Sequence, residues 1–181
     1  MKKIYIVLTH TGTNLSKIIK FFTKDEFSHI SIALDQNLDE MYSFGRLNPY
    51  NPFWGGFVHE KINEGTFKRF YKTMSQVYSL EIDETKYNKI KEAIEIIKKD
   101  KKKYKFNIIG LFAVGLHKRI HFDNSFYCAE FVKYVLDKSD IETNLPEIIR
   151  PENFKALAGM KQEYKGRLKD YRNRKKNLIY T

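Results

Sequence analysis

Apolar residues at the start of the chain form a nearly continuous, β-branched run over residues 4–9, which suits a strand covered on both faces. A helix should follow. Thr13 or Asn14 can cap it, and Leu15, Ile18, Ile19 and Phe22 recur at helical spacing. Residues 28–35 alternate, with Ile30, Ile32 and Leu34 on one side and His29, Ser31 and Ala33 on the other, as in a half-buried strand. After a turn at 36–39, residues 41–46 return as the second arm of a hairpin, with Tyr42 and Phe44 on one face and Met41, Ser43 and Gly45 on the other. Asn-Pro occurs twice and Gly-Gly once within 48–56, which reads as a loop. Short strands are expected at 57–62 and 67–71.

The second half shifts toward helical periodicity. Tyr78, Leu80 and Ile82 alternate as a strand, and Tyr87, Ile90, Ile94 and Ile97 then make the stripe of an amphipathic helix. Residues 106–116 predict a buried helix. Residues 126–136 predict another, with Cys128, Phe131, Val132, Val135 and Leu136 on one face. Pro151 opens a short helix through Leu157, and a strand at 164–168 can close the sheet. No repeat or long linker divides the chain, so residues 1–181 are expected to form a single α+β domain.

Composition adds charge to this picture. Lys and Arg outnumber Asp and Glu by 33 to 22, a formal charge of +11 that attracts polyanions such as an acidic polymer or an acidic lipid surface. Much of the excess lies in two runs, 98–105 and 167–176. Neither is interleaved with stacking aromatics, so no specific nucleic-acid partner is expected, and both also read as solvated charge. The apolar stretch at the N-terminus is about five residues, short of the roughly 7–15 of a signal peptide. The longest apolar run, 108–116, is far below the roughly 20 residues of a membrane span. A cytoplasmic location is expected.

Cys128 is the single cysteine, which excludes an intramolecular disulfide and a thiolate-rich metal site. Asp123, Asn124 and Ser125 offer caps just before its helix, placing the thiol in the first turn, where unpaired N–H groups favour a thiolate and can hold an oxyanion. The same residue lies on an apolar stripe, and from the helix alone it reads first as a buried hydrophobe. His29, on a strand face of small residues, is the base such a thiol needs. His10, His59, His117 and His121 show no zinc-ligand spacing, and no glycine-rich loop suits a phosphate, so neither a metal nor another cofactor is expected.

The segments FSHISIAL at 27–34 and FYCAEFV at 126–132 resemble the circularly permuted NlpC/P60 (papain-like) enzymes, including YiiX/YycO-like bacterial proteins and, more distantly, lecithin:retinol acyltransferase-like enzymes. His29 precedes Cys128, the order that marks permutation. MYSFGR at 41–46, GGFVHE at 55–60 and EYKGRL at 163–168 extend the resemblance across the chain. It implies a permuted papain-like fold with an antiparallel sheet packed against helices, and a cysteine-nucleophile hydrolase. The substrate would be a small peptide, an amino acid or another amide, attacked through a thioacyl intermediate; the alternatives are a lipid acyltransferase or thioesterase of the same fold, or a non-catalytic basic binding module. The resemblance also implies a third polar residue on the strand after the histidine. Hairpin position points to Ser43, with Glu60 on a neighbouring strand as the alternative or as a substrate contact. Tyr127 beside the nucleophile is a candidate for substrate binding, or part of the core.

Overall fold

The computed structural model describes residues 1–13 and 25–173. The helix expected over Leu15 to Phe22, and the end of the second basic run, lie outside them.

A six-stranded antiparallel sheet in the order β4-β3-β2-β1-β5-β8 organises the molecule. Its strands are β1 (Lys2–His10), β2 (His29–Ala33), β3 (Met41–Asn48), β4 (Asn51–Glu60), β5 (Met74–Ile82) and β8 (Lys161–Arg167). The continuous apolar run of β1 has a direct cause: the strand is paired on both edges and covered on both faces. Ile4, Ile6 and Leu8 join one core cluster, and Tyr5 and Val7 the other. β2 is likewise buried on both faces from Ile30 to Ala33, where alternation had predicted a half-buried strand.

The larger cluster is closed by two amphipathic helices, α2 (Glu84–Lys99) and α4 (Cys128–Asp137). Asp83 caps α2 by accepting from the Lys86 N–H at 2.8 Å, and Ile90, Ala93, Ile94 and Ile97 bury its inner stripe. Phe131, one turn into α4, packs on Phe44 of β3 and Phe57 of β4 with ring centroids 5.4 and 5.8 Å away. These contacts lock α4 to the sheet. The opposite face is covered by Leu38, Ile62, Leu168, Tyr171 and Phe67 of the short helix α1 (Gly65–Arg69).

Several boundaries differ from the sequence expectation. Residues 67–71 were expected as a strand, but Phe67 lies in α1, where one apolar side chain anchors a single helical turn. The loop expected over 48–56 shrinks to a tight turn, because β4 begins at Asn51 and pairs with β3 through Arg46↔Gly55 and Gly45↔Gly56. Pro52 is tolerated there because β4 is an edge strand, whose free side needs no N–H. Residues 105–126 form an excursion: β6 (Lys105–Phe106), α3 (Ile108–Gly115) and β7 (Ser125–Phe126), with β6 and β7 paired in parallel at its base. Asn107 caps α3. This helix is buried on one side only: Gly110, Ala113 and Val114 are buried, whereas Ile109 and Phe112 face outward. Pro151 opens a 3-10 turn, Pro151–Ala156.

Candidate active site

β2 pairs with β1 along its whole length, from Thr9↔His29 to Tyr5↔Ala33, but with β3 only at Ile32↔Tyr42 and Ala33↔Met41. The sheet is therefore unladdered between β2 and β3 at the end where His29 stands. The chain entering β2 is pinned by Phe27 N–H donating to Glu152 at 2.9 Å and Ser28 N–H donating to the Thr9 carbonyl at 3.1 Å. Such anchoring fixes where the imidazole emerges.

Cys128 is the first residue of α4, whose N-cap is Tyr127 rather than any of the expected Asp123, Asn124 or Ser125. The reason is the short strand β7, which holds Ser125 and Phe126 extended against β6 and delays the helix. Glu130, three residues on, accepts from the Tyr127 N–H at 3.1 Å, so the acid of the capping box closes the helix start. The first N–H groups of a helix have no intrahelical acceptor, and here they belong to Cys128 and its immediate successors.

His29 and Cys128, 99 positions apart in sequence, are brought close enough that the thiol acts on the charge of the ring. One ring nitrogen has a defined partner: His29 Nε2 lies 3.0 Å from Glu60 Oε1. Glu60 is nearly buried and its second oxygen accepts from the Ser31 hydroxyl. A carboxylate in such a place requires compensation, and the imidazole and the hydroxyl provide it. Burial of the ring disfavours its charged form. The Glu60 carboxylate, the nearby Cys128 thiol and the hydrogen bond to Glu60 outweigh that effect, and the His29 pKa is raised from 6.5 to about 10. The fold thus favours the charged form of the ring.

Ser43 does not make the hydrogen bond expected of it. It occupies the His29 side of the hairpin, as parity required, but its buried hydroxyl has no hydrogen-bond partner among the described residues. Glu60 reaches the ring instead, because a longer side chain from β4 spans the distance that a serine on β3 cannot. Gly45 leaves the room for this arrangement: a Cβ there would stand 3.2 Å from His29 Cε1 and from Ser43 Oγ. Tyr127 is core. Its ring is buried and its hydroxyl donates to the Ile149 carbonyl at 3.0 Å, and burial first, then Glu130, raises its pKa.

Two participants were missed in the sequence. Ser31 was read only as a small residue, although its place two positions after His29 already put it on the same face. Glu130 was read only as part of a motif, although its spacing from Tyr127 is that of a capping box. Other histidines have other partners: His59 Nε2 donates to the Asp39 carbonyl at 2.7 Å, His10 lies 3.5 Å from the Ser28 hydroxyl, and His121 approaches Glu130 at 3.4 Å. Among the described residues no three His, Cys, Asp or Glu side chains gather as metal ligands, and no helix is long and apolar enough to cross a membrane. No protein-family model matches this chain, and no curated protein is significantly similar to it.

Proposed function

We propose that the chain is a cysteine-nucleophile hydrolase of the permuted NlpC/P60 kind, an amidase or peptidase with Cys128 as nucleophile, His29 as acid and base, and Glu60 as the residue that orients the ring. The observation that carries this reading is the placement of one imidazole in a hydrogen bond to buried Glu60 and in electrostatic contact with Cys128 at a helix start. A purely structural histidine has no need of a thiol at a helix start beside it and a buried carboxylate on Nε2. The order of elements, histidine strand before cysteine helix, agrees with the permuted architecture.

In the acylation step the Cys128 sulfur, as thiolate, attacks the carbonyl carbon of an amide. The developing oxyanion is met by the N–H groups of the first turn of α4. His29 gives its proton to the departing amine, and the C–N bond breaks to leave a thioester on Cys128. Water then attacks this thioester while neutral His29 takes the proton; the acid product leaves and the thiolate–imidazolium pair returns. Glu60 holds the ring in register and compensates its charge through both half-reactions.

Alkylation by iodoacetamide at neutral pH, followed by peptide mapping, is the direct test. Wild-type protein should be modified at Cys128 faster than free cysteine, and His29→Ala should lower that rate at least about tenfold. A wild-type rate at or below that of free cysteine, in folded protein, overturns the assignment.

A further inference from the structure

The excursion between β6 and β7 carries apolar side chains on its outside. Ile109, Phe112 and Leu116 of α3 and its C-cap are 40–63% exposed, and Phe122 follows at 48%. They adjoin a second exposed group. Phe53 and Trp54, at the tip of the β3–β4 hairpin, are 67% and 59% exposed. The hairpin and the excursion are packed together at Gly55, where a Cβ would come within 2.6 Å of the Phe106 ring. Aromatic and aliphatic side chains therefore protrude from one end of the molecule, on two elements held to each other.

The same end is basic. Between Asp100 and Asn124 there are six Lys and Arg against two Asp. Lys101, Lys102, Lys103 and Lys105 precede α3, Lys118 and Arg119 follow it, and all six are exposed. An apolar centre with a cationic rim complements an anionic bilayer, whose headgroups attract the lysines while its acyl boundary accepts the rings. A two-fold dimer would place one basic rim against another, and the aliphatic Ile109 and Leu116 offer nothing for nucleobases to stack on.

We propose that this end of the molecule docks on an anionic lipid surface, with Trp54 and Phe112 entering the headgroup–acyl boundary. The docked end is tied to the start of α4. The Asn107 amide donates to the Ile120 carbonyl at 2.9 Å and to Glu130 Oε2 at 3.3 Å, and that same oxygen accepts from Tyr127, the residue before Cys128. The docking stands on its own observations, whether or not Cys128 reacts.

Trp54 is the sole tryptophan, so its emission reports the contact directly. The full chain is mixed with vesicles of phosphatidylglycerol and phosphatidylcholine in equal parts, or of phosphatidylcholine alone, and followed by Trp54 emission and co-sedimentation. The expected result is a blue shift and co-sedimentation on the anionic vesicles, both reduced by 0.5 M salt. Phe112→Ser combined with Leu116→Ser should weaken binding about tenfold or more while circular dichroism stays unchanged. If that pair disturbs the fold, Lys101→Glu with Lys103→Glu replaces it, with the same loss expected. Absence of co-sedimentation overturns the proposal. So does co-sedimentation with unshifted Trp54 emission, or binding undiminished in the folded variants. A dimer dissolved by Phe112→Ser, without vesicle binding, assigns the surface to a second copy instead and equally overturns it.

Discussion

The His29 cluster and the α3 end break the usual partition of polar and apolar groups in opposite directions. At the first, a carboxylate and an imidazole are held in the interior, and the structure surrounds them with defined partners: Ser31, Cys128 and each other. At the second, phenylalanine and isoleucine stand in water with lysines around them. A buried polar group is costly unless its geometry is satisfied, so such a cluster fixes atoms to within a hydrogen bond. An exposed apolar group costs the fold little but leaves burial energy unused, so it specifies a surface rather than a position. Chemistry needs the first kind of order and docking the second.

Paired phenylalanine substitutions test this contrast most strongly. Phe131→Ala removes a fully buried ring from the cluster that holds α4 to β3 and β4, and should lower unfolding stability by about 3–5 kcal/mol in denaturant titration. Phe112→Ser on the exposed face of α3 should change it by no more than about 0.5 kcal/mol. Equal losses at the two positions would mean that the α3 face is part of the core, and the comparison would fail.

Glu60→Gln comes next. It keeps a hydrogen-bonding side chain beside His29 but deletes the charge that outweighs burial of the ring. Hydrolytic turnover should fall about a hundredfold, or ~2.7 kcal/mol in barrier. The pH dependence carries a sign. In wild type the folded state favours the imidazolium, so this contribution to stability is fully present below the ordinary pKa of 6.5 and is lost as pH rises through about 10. Without the carboxylate the upper limit moves down, and the alkaline fall of stability should begin at lower pH. An unchanged alkaline limb in Glu60→Gln would show that Glu60 does not set the state of the ring.

Much of the architecture was legible because it follows from periodicity. β1, the alternation in β2 and β3, and the stripes of α2 and α4 were readable from residues such as Ile4, Ile30, Ile90 and Phe131, whose burial their spacing already implied. That His29 and Cys128 are neighbours was anticipated from base and thiol chemistry and element order. What failed were features decided by long-range pairing. β4 extends back to Asn51 through a Pro and two Gly because β3 is there to receive it, which local turn signals cannot reveal. The cap of α4 moved to Tyr127 because β6 captured Ser125 and Phe126. α3 was expected in the core because hydrophobicity alone does not say which side of an element finds a partner. That Glu60 and not Ser43 contacts the ring turned on reach across two strands, a distance absent from any one-dimensional pattern.

The smallest expected effect is at Ser43, and it discriminates by sign. Ser43 lies beneath His29 with its hydroxyl buried and without a hydrogen-bond partner among the described residues, so the folded state carries the desolvation cost of that group uncompensated. Alanine removes the oxygen and almost no volume. Ser43→Ala should therefore leave turnover within about twofold of wild type and raise unfolding stability by about 1 kcal/mol, read from the denaturation midpoint at constant slope. A serine that oriented the imidazole would behave otherwise: its loss would slow turnover about tenfold, ~1.4 kcal/mol, without any gain in stability. Measured beside Glu60→Gln, the substitution separates the two candidates on one pair of axes. A slowed Ser43→Ala beside an unaffected Glu60→Gln would return the orienting role to the serine and leave the buried carboxylate as a structural partner of Ser31.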